Sequence, residues 1–227
     1  MINVIFCGYR QWAKNVIDAI GMHPNINVTD IIYNDQDEKW ENLENGTTDA
    51  DIIIFIGWSW RISNSITSKY LCLGIHPSDL PEYRGGSPLQ NQIIDGVYNT
   101  KVTLFSLTSK LDSGDIWMKG DLNLEGDSFD IILKKVESAS IDLLSRFFYA
   151  YPNISLPVKQ ENTSIIHKRR TPEQSRITID EIQNTNLKAL YDKIRCLTDP
   201  YPNAYIEDSA GNRLLITSVK YIQNDIK

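Results

Sequence analysis

The sequence predicts an α/β fold in which helices cover both faces of a mostly parallel, twisted sheet, followed by a small α+β extension. Short apolar runs alternate with stretches of helical spacing, which is the pattern of a parallel sheet. Two of these runs, 51–56 and 70–75, are almost continuously apolar, as strands buried on both faces are. The chain has 227 residues, of which 41% are hydrophobic, and this is enough to bury a substantial core.

The N-terminal half is predicted to alternate between strands and helices. Its first apolar, β-rich run ends at Gly8, and the stretch that follows repeats apolar residues at helical intervals. A polar segment rich in Asn, Asp and Glu comes after the second strand. We therefore predict strands at 3–7, 28–33, 51–56 and 70–75, and helices at 12–20 and 63–69.

The middle of the chain is predicted to add two strands and two helices to this arrangement. A helix at 89–95 is closed by a glycine, and strands follow at 102–107 and 115–121. A longer helix comes next, and either Asp127 or Ser128 can cap its N-terminus.

The C-terminal part begins with a connector that is rich in Pro, Asn, Gln and Thr and runs from residue 152 to about residue 176. We predict a tail with one helix at 187–197 and a hairpin with strands at 204–206 and 214–221. The chain is therefore divided into a Rossmann-like domain, 1–165, and a tail, 166–227, which either completes that domain or forms a homodimer contact.

Composition and charge limit the classes of protein that this chain can belong to. No stretch approaches the roughly 18–20 apolar residues of a membrane-spanning helix, and the N-terminus has no basic leader or cleavage site. The three cysteines lie far apart and lack metal-ligand spacing. The formal net charge of −6 argues against a nucleic acid as the main partner. We expect a cytoplasmic protein without a metal, nucleic-acid or membrane partner.

Glycine-rich phosphate-binding loops are not indicated. The first strand ends in the sequence FCGYRQWA, which has one glycine and bulky neighbours where a dinucleotide-binding turn needs three small residues. A pyrophosphate could not approach such a turn closely, so a nicotinamide-dependent enzyme is disfavoured.

A histidine follows the fourth predicted strand, in the segment GIHPSDLPEYRGGSP. The carboxyl ends of parallel strands line the crevice in which such sheets bind ligands. An imidazole there can exchange protons near neutral pH. The alternative is a histidine that only hydrogen-bonds a loop, but the surrounding prolines and glycines fix the backbone direction. We therefore favour a functional role for His76.

The second candidate, Asp112, lies in the segment LDSGDI, just after the strand predicted at 102–107. A carboxylate in this turn can orient and stabilise an imidazole from a neighbouring loop. It can equally cap the turn through its own side chain. The spacing does not separate these two interpretations.

Four segments resemble the folate-dependent formyltransferases, a family that includes methionyl-tRNA, glycinamide ribonucleotide and nucleotide-sugar formyltransferases. In the family's order they are HPSDLPEYRGGSP, LDSGDI, RRTPEQS and LTDPYPNA. The last two, with FCGYRQWA and FIGWSWRI, are most similar to the branch that acts on amino sugars. The resemblance implies transfer of a formyl group from 10-formyltetrahydrofolate to the amine of a small-molecule amino sugar, in nucleotide-linked form.

The resemblance also implies roles for individual residues. His76 corresponds to the catalytic histidine and Asp112 to its carboxylate partner. The residues implied to bind the folate are Trp58, Ser59, Trp60, Arg61, Ile62, Gly74 and Asp115. The candidates for binding the acceptor are Tyr83, Arg84, Gly85, Asn91, Arg169 and Arg170. For the two tryptophans ordinary core packing is the alternative, and for the two C-terminal arginines it is anchoring of the connector.

Gly74 departs from the family's pattern, which usually has an asparagine two residues before the histidine to hydrogen-bond the developing oxyanion. Losing one such donor can cost about 10²–10³-fold in rate. Asn91, Gln92 or a backbone N–H are candidate replacements. Alternatively, the glycine makes room for a different substrate, or the protein is slow or inactive.

Three other functions compete with amino-sugar formylation. One is formylation of another amine such as an aminoacyl-tRNA, and another is hydrolysis of the formyl-folate by water. The third is a catalytically degenerate module that binds the folate without turnover, and Gly74 keeps this alternative open.

Overall fold

The computed structural model describes residues 1–126, 128–161 and 165–224. The N-terminal half alternates strands and helices, and each predicted element is found within two residues of its predicted bounds. The elements are β1 (Ile2–Cys7), α1 (Gln11–Ile20), β2 (Ile26–Ile32), α2 (Glu38–Asn45), β3 (Ile52–Ile56), α3 (Asn64–Lys69) and β4 (Leu71–His76).

The second half follows the predicted order and adds short elements in the connector and tail. These are β5 (Arg84–Gly85), α4 (Pro88–Ile94), β6 (Asn99–Ser106), β7 (Ile116–Asn123), α5 (Phe129–Ala150), β8 (Ile166–His167), a 3-10 turn (Pro172–Ser175), α6 (Ile179–Asn184), α7 (Leu187–Arg195), β9 (Ala204–Glu207) and β10 (Arg213–Ile216).

Two details of the second half differ from the prediction. The last strand ends at Ile216 and not at residue 221, because its antiparallel partner β9 has only four residues to pair with it. Ser128 holds the N-cap position of α5, but its hydroxyl bonds the Asp130 carboxylate and not a backbone N–H. The alternative cap, Asp127, lies outside the described residues.

Helix α2 occupies the polar segment for which no element was predicted. Only Trp40 and Leu43 of this helix are buried, so its apolar stripe is too narrow to stand out in the sequence. Local signals fix its ends. The Asp37 carboxylate accepts a hydrogen bond from the Lys39 N–H at 3.0 Å, and Gly46 closes the helix in the left-handed conformation.

The main sheet has six strands in the order β2-β1-β3-β4-β6-β7. Strands β1 to β4 are parallel to one another, whereas β6 runs antiparallel to β4 and β7 antiparallel to β6. The prediction of a mostly parallel sheet is confirmed, and β4, which carries His76, lies between its parallel and antiparallel parts.

Apolar clusters cover both faces of the sheet, as predicted. One face packs against α1 and α5, and Ile194 and Leu197 from the C-terminal tail join this cluster. The other face packs against Trp40 of α2 and Ile66 of α3. Within the described ranges, no helix is both long and apolar enough to cross a membrane.

A buried charge network ties α7 to the sheet. The Asp192 carboxylate, 2% exposed, accepts hydrogen bonds from Tyr98 Oη at 2.6 Å, Lys188 Nζ at 2.7 Å and Arg195 Nε at 2.6 Å. Arg195 also donates to the carbonyl of Leu124, the residue after β7, at 2.8 Å. Burial acts to raise the pKa of Asp192, but the hydrogen bonds from Lys188, Tyr98 and Arg195 outweigh it and hold the pKa below its ordinary value.

Replacing Asp192 with asparagine is expected to lower the free energy of unfolding by roughly 3–5 kcal/mol, because the buried Arg195 guanidinium loses its counter-ion. Since the pKa of Asp192 is lower in the folded chain, its contribution is present above the unfolded-state pKa and is lost as the pH falls through the folded-state pKa. Urea unfolding from pH 7 to 3 measures both effects. Asp121→Asn, at a surface ion pair with Lys101, is the control and should change stability little. Equal stability of the two variants would contradict the prediction.

Candidate active site

His76 is the last residue of β4, and its side chain is buried against the sheet. Nε2 lies 2.9 Å from the Tyr83 carbonyl oxygen, and Nδ1 lies 3.6 Å from Asp112 Oδ2. Because a carbonyl oxygen only accepts hydrogen bonds, the ring hydrogen of the neutral form is assigned to Nε2. Nδ1 therefore faces the carboxylate, within the distance of an ion pair when the ring is protonated.

Asp112 is held in an unusual backbone conformation, with φ at 45°. This left-handed region is uncommon for a residue other than glycine, although aspartate and asparagine tolerate it best. The conformation aims the carboxylate at the loop after β4, where Oδ2 accepts a hydrogen bond from the Gly85 N–H at 2.8 Å. The structure therefore brings the two predicted catalytic residues together through one carboxylate oxygen.

The loop after His76 is fixed from two sides. Thr103 Oγ1 donates to the Ser78 carbonyl at 2.7 Å, and Ser78 Oγ donates to the Glu82 carbonyl at 2.7 Å. Both N–H groups of Gln92 are also engaged, at 2.9 Å each, with the carbonyls of Pro77 and Pro88. Gln92, a candidate oxyanion donor from the sequence, thus has no amide hydrogen left for a substrate in this structure.

Glycines at 85 and 86 allow the connector to pack directly on this loop. Strand β5 pairs with β8, and a Cβ at Gly85 would lie 2.2 Å from the His167 carbonyl oxygen. A Cβ at Gly86 would lie 2.4 Å from the Arg169 backbone. Only glycine fits such contacts, so these two residues place Arg169 beside the loop that binds Asp112.

Tyr83 joins the imidazole to the connector. Its carbonyl accepts the His76 hydrogen bond, its ring stacks on His167 with centroids 5.0 Å apart, and its hydroxyl donates to Asp95 at 3.1 Å. Burial, followed by the nearby Asp95 carboxylate, raises the pKa of the Tyr83 hydroxyl to about 12. The hydroxyl therefore stays neutral at physiological pH.

Gln160 is a site residue that the sequence analysis missed. Its side-chain amide donates to the carbonyls of Asp112 at 3.1 Å and Gly114 at 2.7 Å, and it is 5% exposed. These bonds clamp the turn that carries the left-handed Asp112. No local signal marks Gln160, because it lies 48 residues along the chain from its partner in a segment interpreted as a connector.

Replacing Gln160 with glutamate is expected to lower kcat about tenfold, because a carboxylate in place of the amide repels both carbonyls and releases the turn. Steady-state kinetics below the unfolding transition measures this effect. Asp192→Asn is the control, since it loses stability at a distant network and should keep its kcat. An unchanged kcat in Gln160→Glu would show that the turn does not need the clamp.

Aromatic side chains gather at the carboxyl end of β3, where the sequence implied a folate pocket. Trp58 stacks on Trp40 with centroids 5.2 Å apart, and Trp60 packs against Trp58 at 4.8 Å. Trp58 Nε1 is buried and has no hydrogen-bond partner among the described residues. An unpaired buried donor is costly, so a flat heterocycle with acceptor atoms fits this cluster better than an apolar ligand does. Ile62 packs against the same apolar cluster, and Arg61 is exposed beside it.

Ser59 connects this aromatic cluster with Tyr9 of the segment FCGYRQWA and with Arg169 of the segment RRTPEQS. Its hydroxyl lies 2.7 Å from Tyr9 Oη and accepts a hydrogen bond from Arg169 Nη2 at 2.9 Å. The Arg10 guanidinium lies over the rings of Tyr9 at 4.9 Å and Tyr201 at 5.0 Å. Tyr9 and Arg10 were not singled out as site residues, although their position directly after β1 is a signal for the same edge of the sheet.

The remaining predicted residues are spread around this centre. Arg84 is buried and donates to backbone carbonyls of Pro81 and Glu161, and Asn91 donates to the Gly86 carbonyl at 3.0 Å. Arg170 Nη2 donates to the Gln174 carbonyl. Asp115 is exposed just before β7. These contacts hold the loop and connector together, and the binding roles of these residues stay predictions.

The sequence profile described as formyl transferase matches residues 32–146. Among curated proteins, the methionyl-tRNA formyltransferase of Rickettsia prowazekii is 37% identical over 161 residues, covering 69% of this chain and 51% of that protein. This chain spans about half the length of the curated relatives that it matches.

Two solved structures resemble nearly the whole chain. A methionyl-tRNA formyltransferase from Clostridium thermocellum is 31% identical, with a TM-score of 0.82 and coverage of 98% of this chain and 94% of that one. A likely sugar N-formyltransferase from Mycobacterium tuberculosis is 20% identical, with a TM-score of 0.78 and coverage of 99% and 100%. At that identity the second match shows a shared fold only.

Proposed function

Because the chain belongs to the formyl transferase family, we propose that it transfers a formyl group from 10-formyltetrahydrofolate to a primary amine. The observation that carries this proposal is the pairing of His76 with Asp112. Their side chains meet at 3.6 Å, both are largely buried, and two separate segments of the chain fix their positions. A histidine that only stabilised a loop would not require a clamped left-handed carboxylate partner.

The reaction needs an acceptor for the proton of the attacking amine and a group that stabilises the negative charge on the carbonyl oxygen. The amine nitrogen attacks the formyl carbon, and the carbonyl electron pair moves to the oxygen. The new ammonium gives its proton to the His76–Asp112 pair, which holds it between Nδ1 and Oδ2 on either atom. The electron pair on the oxygen then re-forms the carbonyl as the bond from the formyl carbon to the folate nitrogen breaks, and that nitrogen takes up the proton from the His76–Asp112 pair. Tetrahydrofolate and the N-formyl amine are released.

The tryptophan cluster supports a folate as the donor. The pterin ring of a folate is flat and carries hydrogen-bond acceptors, which suits aromatic side chains and the unpaired Trp58 Nε1. The cluster lies at the carboxyl end of β3, the strand next to β4, so a ligand bound there reaches toward His76.

We propose a nucleotide-linked amino sugar as the acceptor. Arg10 and Arg169 both lie near the Tyr201 hydroxyl, where they oppose the rise in its pKa that burial causes. Among the ion pairs of the described residues, none involves Arg10 or Arg169. Two guanidinium groups that are not paired with a carboxylate, together with the nearby Ser59 and Tyr9 hydroxyls, could donate hydrogen bonds to the oxygens of a diphosphate.

The initiator methionyl-tRNA is the second candidate acceptor. Relatives that are 31–37% identical to this chain are named methionyl-tRNA formyltransferases, and this similarity favours methionyl-tRNA as the acceptor. The net charge of −6 favours the smaller acceptor, since RNA binding depends on neutralising many phosphates. In either case we propose a cytoplasmic enzyme, with the tail as a candidate homodimer contact.

Mass spectrometry separates these proposals. The purified chain is incubated with 10-formyltetrahydrofolate and, in parallel, with a panel of nucleotide-linked amino sugars or with methionyl-tRNA. We expect an N-formyl product in the sugar panel, with a mass increase of one formyl group. Product only with methionyl-tRNA would replace the sugar acceptor. Folate binding without product from any amine would identify a degenerate binding module.

A further inference from the structure

Gly74 lies two residues before His76 on β4, so both positions face the same side of the sheet. Directly opposite Gly74 in the antiparallel pairing is Phe105 of β6. Residues opposite each other across two strands share one volume above the sheet. The side chain at position 105 therefore limits which side chains fit at position 74.

The volume above Gly74 is already full. A Cβ at this position would lie 2.9 Å from Phe105 Cε1 and 3.1 Å from Leu107 Cδ2. Phe105 is 2% exposed, so its ring is enclosed and cannot move aside into solvent. An asparagine at position 74, as the resemblance led us to expect, would have to displace this ring.

The same ring packs against the catalytic imidazole. The centroids of Phe105 and His76 are 6.3 Å apart, with an interplanar angle of 83°. This T-shaped geometry is favourable for aromatic pairs. Without the phenylalanine, a glycine at position 74 would leave a void beside His76, and the imidazole would gain room to rotate.

We propose that Gly74 and Phe105 act as one unit and that Phe105 is a positioning residue for His76. The phenylalanine ring takes the volume of an asparagine side chain at position 74 and holds the imidazole toward Asp112. This inference rests on the proposed formyl transfer and deepens it, because it removes position 74 as the source of the oxyanion donor. Restoring a donor there then requires two substitutions, not one.

Phe105→Leu tests the positioning role. We expect kcat to fall about 10–100-fold with little change in KM, because the imidazole is misplaced while binding groups remain. In the NMR spectrum the His76 Nε2 proton should lose its protection from exchange with water, because a misplaced ring loses its hydrogen bond to the Tyr83 carbonyl. The matched control is Phe148→Leu, because Phe148 is a fully buried phenylalanine of α5. This variant should lose stability but keep its kcat and its His76 NMR signal. Should Phe105→Leu not fold, Phe105→Met gives the same readouts.

A double-mutant cycle tests whether the two positions form one unit. Gly74→Asn alone should lower kcat and thermal stability, because the ring is displaced. When Gly74→Asn is combined with Phe105→Ala, a large part of the lost kcat and of the lost thermal stability should be recovered. The effects of the two substitutions would then be strongly non-additive. Additive losses, or a rate gain in Gly74→Asn alone, would overturn the inference.

The readouts also separate this inference from the proposed function. The His76 NMR signals and the stability cycle need no formyl transfer. If they behave as expected and no amine is formylated, the geometric unit stands and the proposed function fails. A His76 Nε2 proton that stays protected from exchange in Phe105→Leu contradicts the positioning role whatever the activity.

Discussion

Replacing His76 with asparagine is expected to lower kcat about 10²–10⁴-fold, the range over which a positioned acid–base group contributes. Asparagine is polar and smaller than histidine, but it cannot take up a proton. The proton of the attacking amine would then lose its acceptor at this position. Stopped-flow or mass-based turnover measures the loss, which we expect to reach the limit of detection.

The affinity for the folate should change little in the same variant, because the aromatic cluster at the end of β3 is intact. Fluorescence of the Trp58 cluster, titrated with tetrahydrofolate, reports that affinity. His23→Asn is the matched control. His23 is also buried, but it packs on Phe148 and Tyr149 and should leave kcat unchanged. Normal turnover in His76→Asn would remove this histidine from the mechanism.

The position of His76 was predictable because one rule fixes it. A short, fully apolar strand in a parallel sheet ends at the edge where ligands bind, and His76 is the last residue of such a strand. The same reasoning holds for the tryptophans after β3. These are local patterns, so the order of the strands did not have to be known.

The partner of His76 could not be derived in that way. Strand β6 runs antiparallel to β4, with Ser106 opposite Leu73, so the end of β6 lies beside the start of β4. The loop after β6 must therefore return along the sheet before Asp112 reaches His76. Spacing left Asp112 undecided between a turn cap and a catalytic partner, and only the resemblance assigned the second role. The observed contact with His76 supports it.

Contacts between distant segments account for the features that sequence reasoning missed. Gln160 clamps Asp112 from a segment without regular pattern, and β5 pairs with β8 over only two residues. Neither leaves a periodic signal. The contact between the Phe105 ring and Gly74 is also a contact between distant segments, because it depends on the register of β4 and β6, which are joined through a helix. The sequence revealed the missing asparagine but not what fills its place.

The second large effect is expected from Asp112→Asn, which should lower kcat about 10²–10⁴-fold while leaving the fold intact. Asparagine tolerates the left-handed backbone at position 112, and its carbonyl oxygen can still accept the Gly85 N–H. The substitution therefore removes only the negative charge that faces His76 Nδ1 at 3.6 Å. If that charge holds the imidazole and shares the amine proton, turnover falls although the geometry is kept.

Three measurements distinguish this role from a turn cap. Thermal unfolding of Asp112→Asn should change little, since the hydrogen bond to Gly85 survives. The fall in kcat should come with little change in KM, because the groups that bind the two substrates are intact. Asp112→Ala is the comparison, as it removes the Gly85 bond as well and should lose both stability and rate. An Asp112→Asn variant with full activity would reduce Asp112 to a cap of its own turn, and His76 would then act without a charged partner.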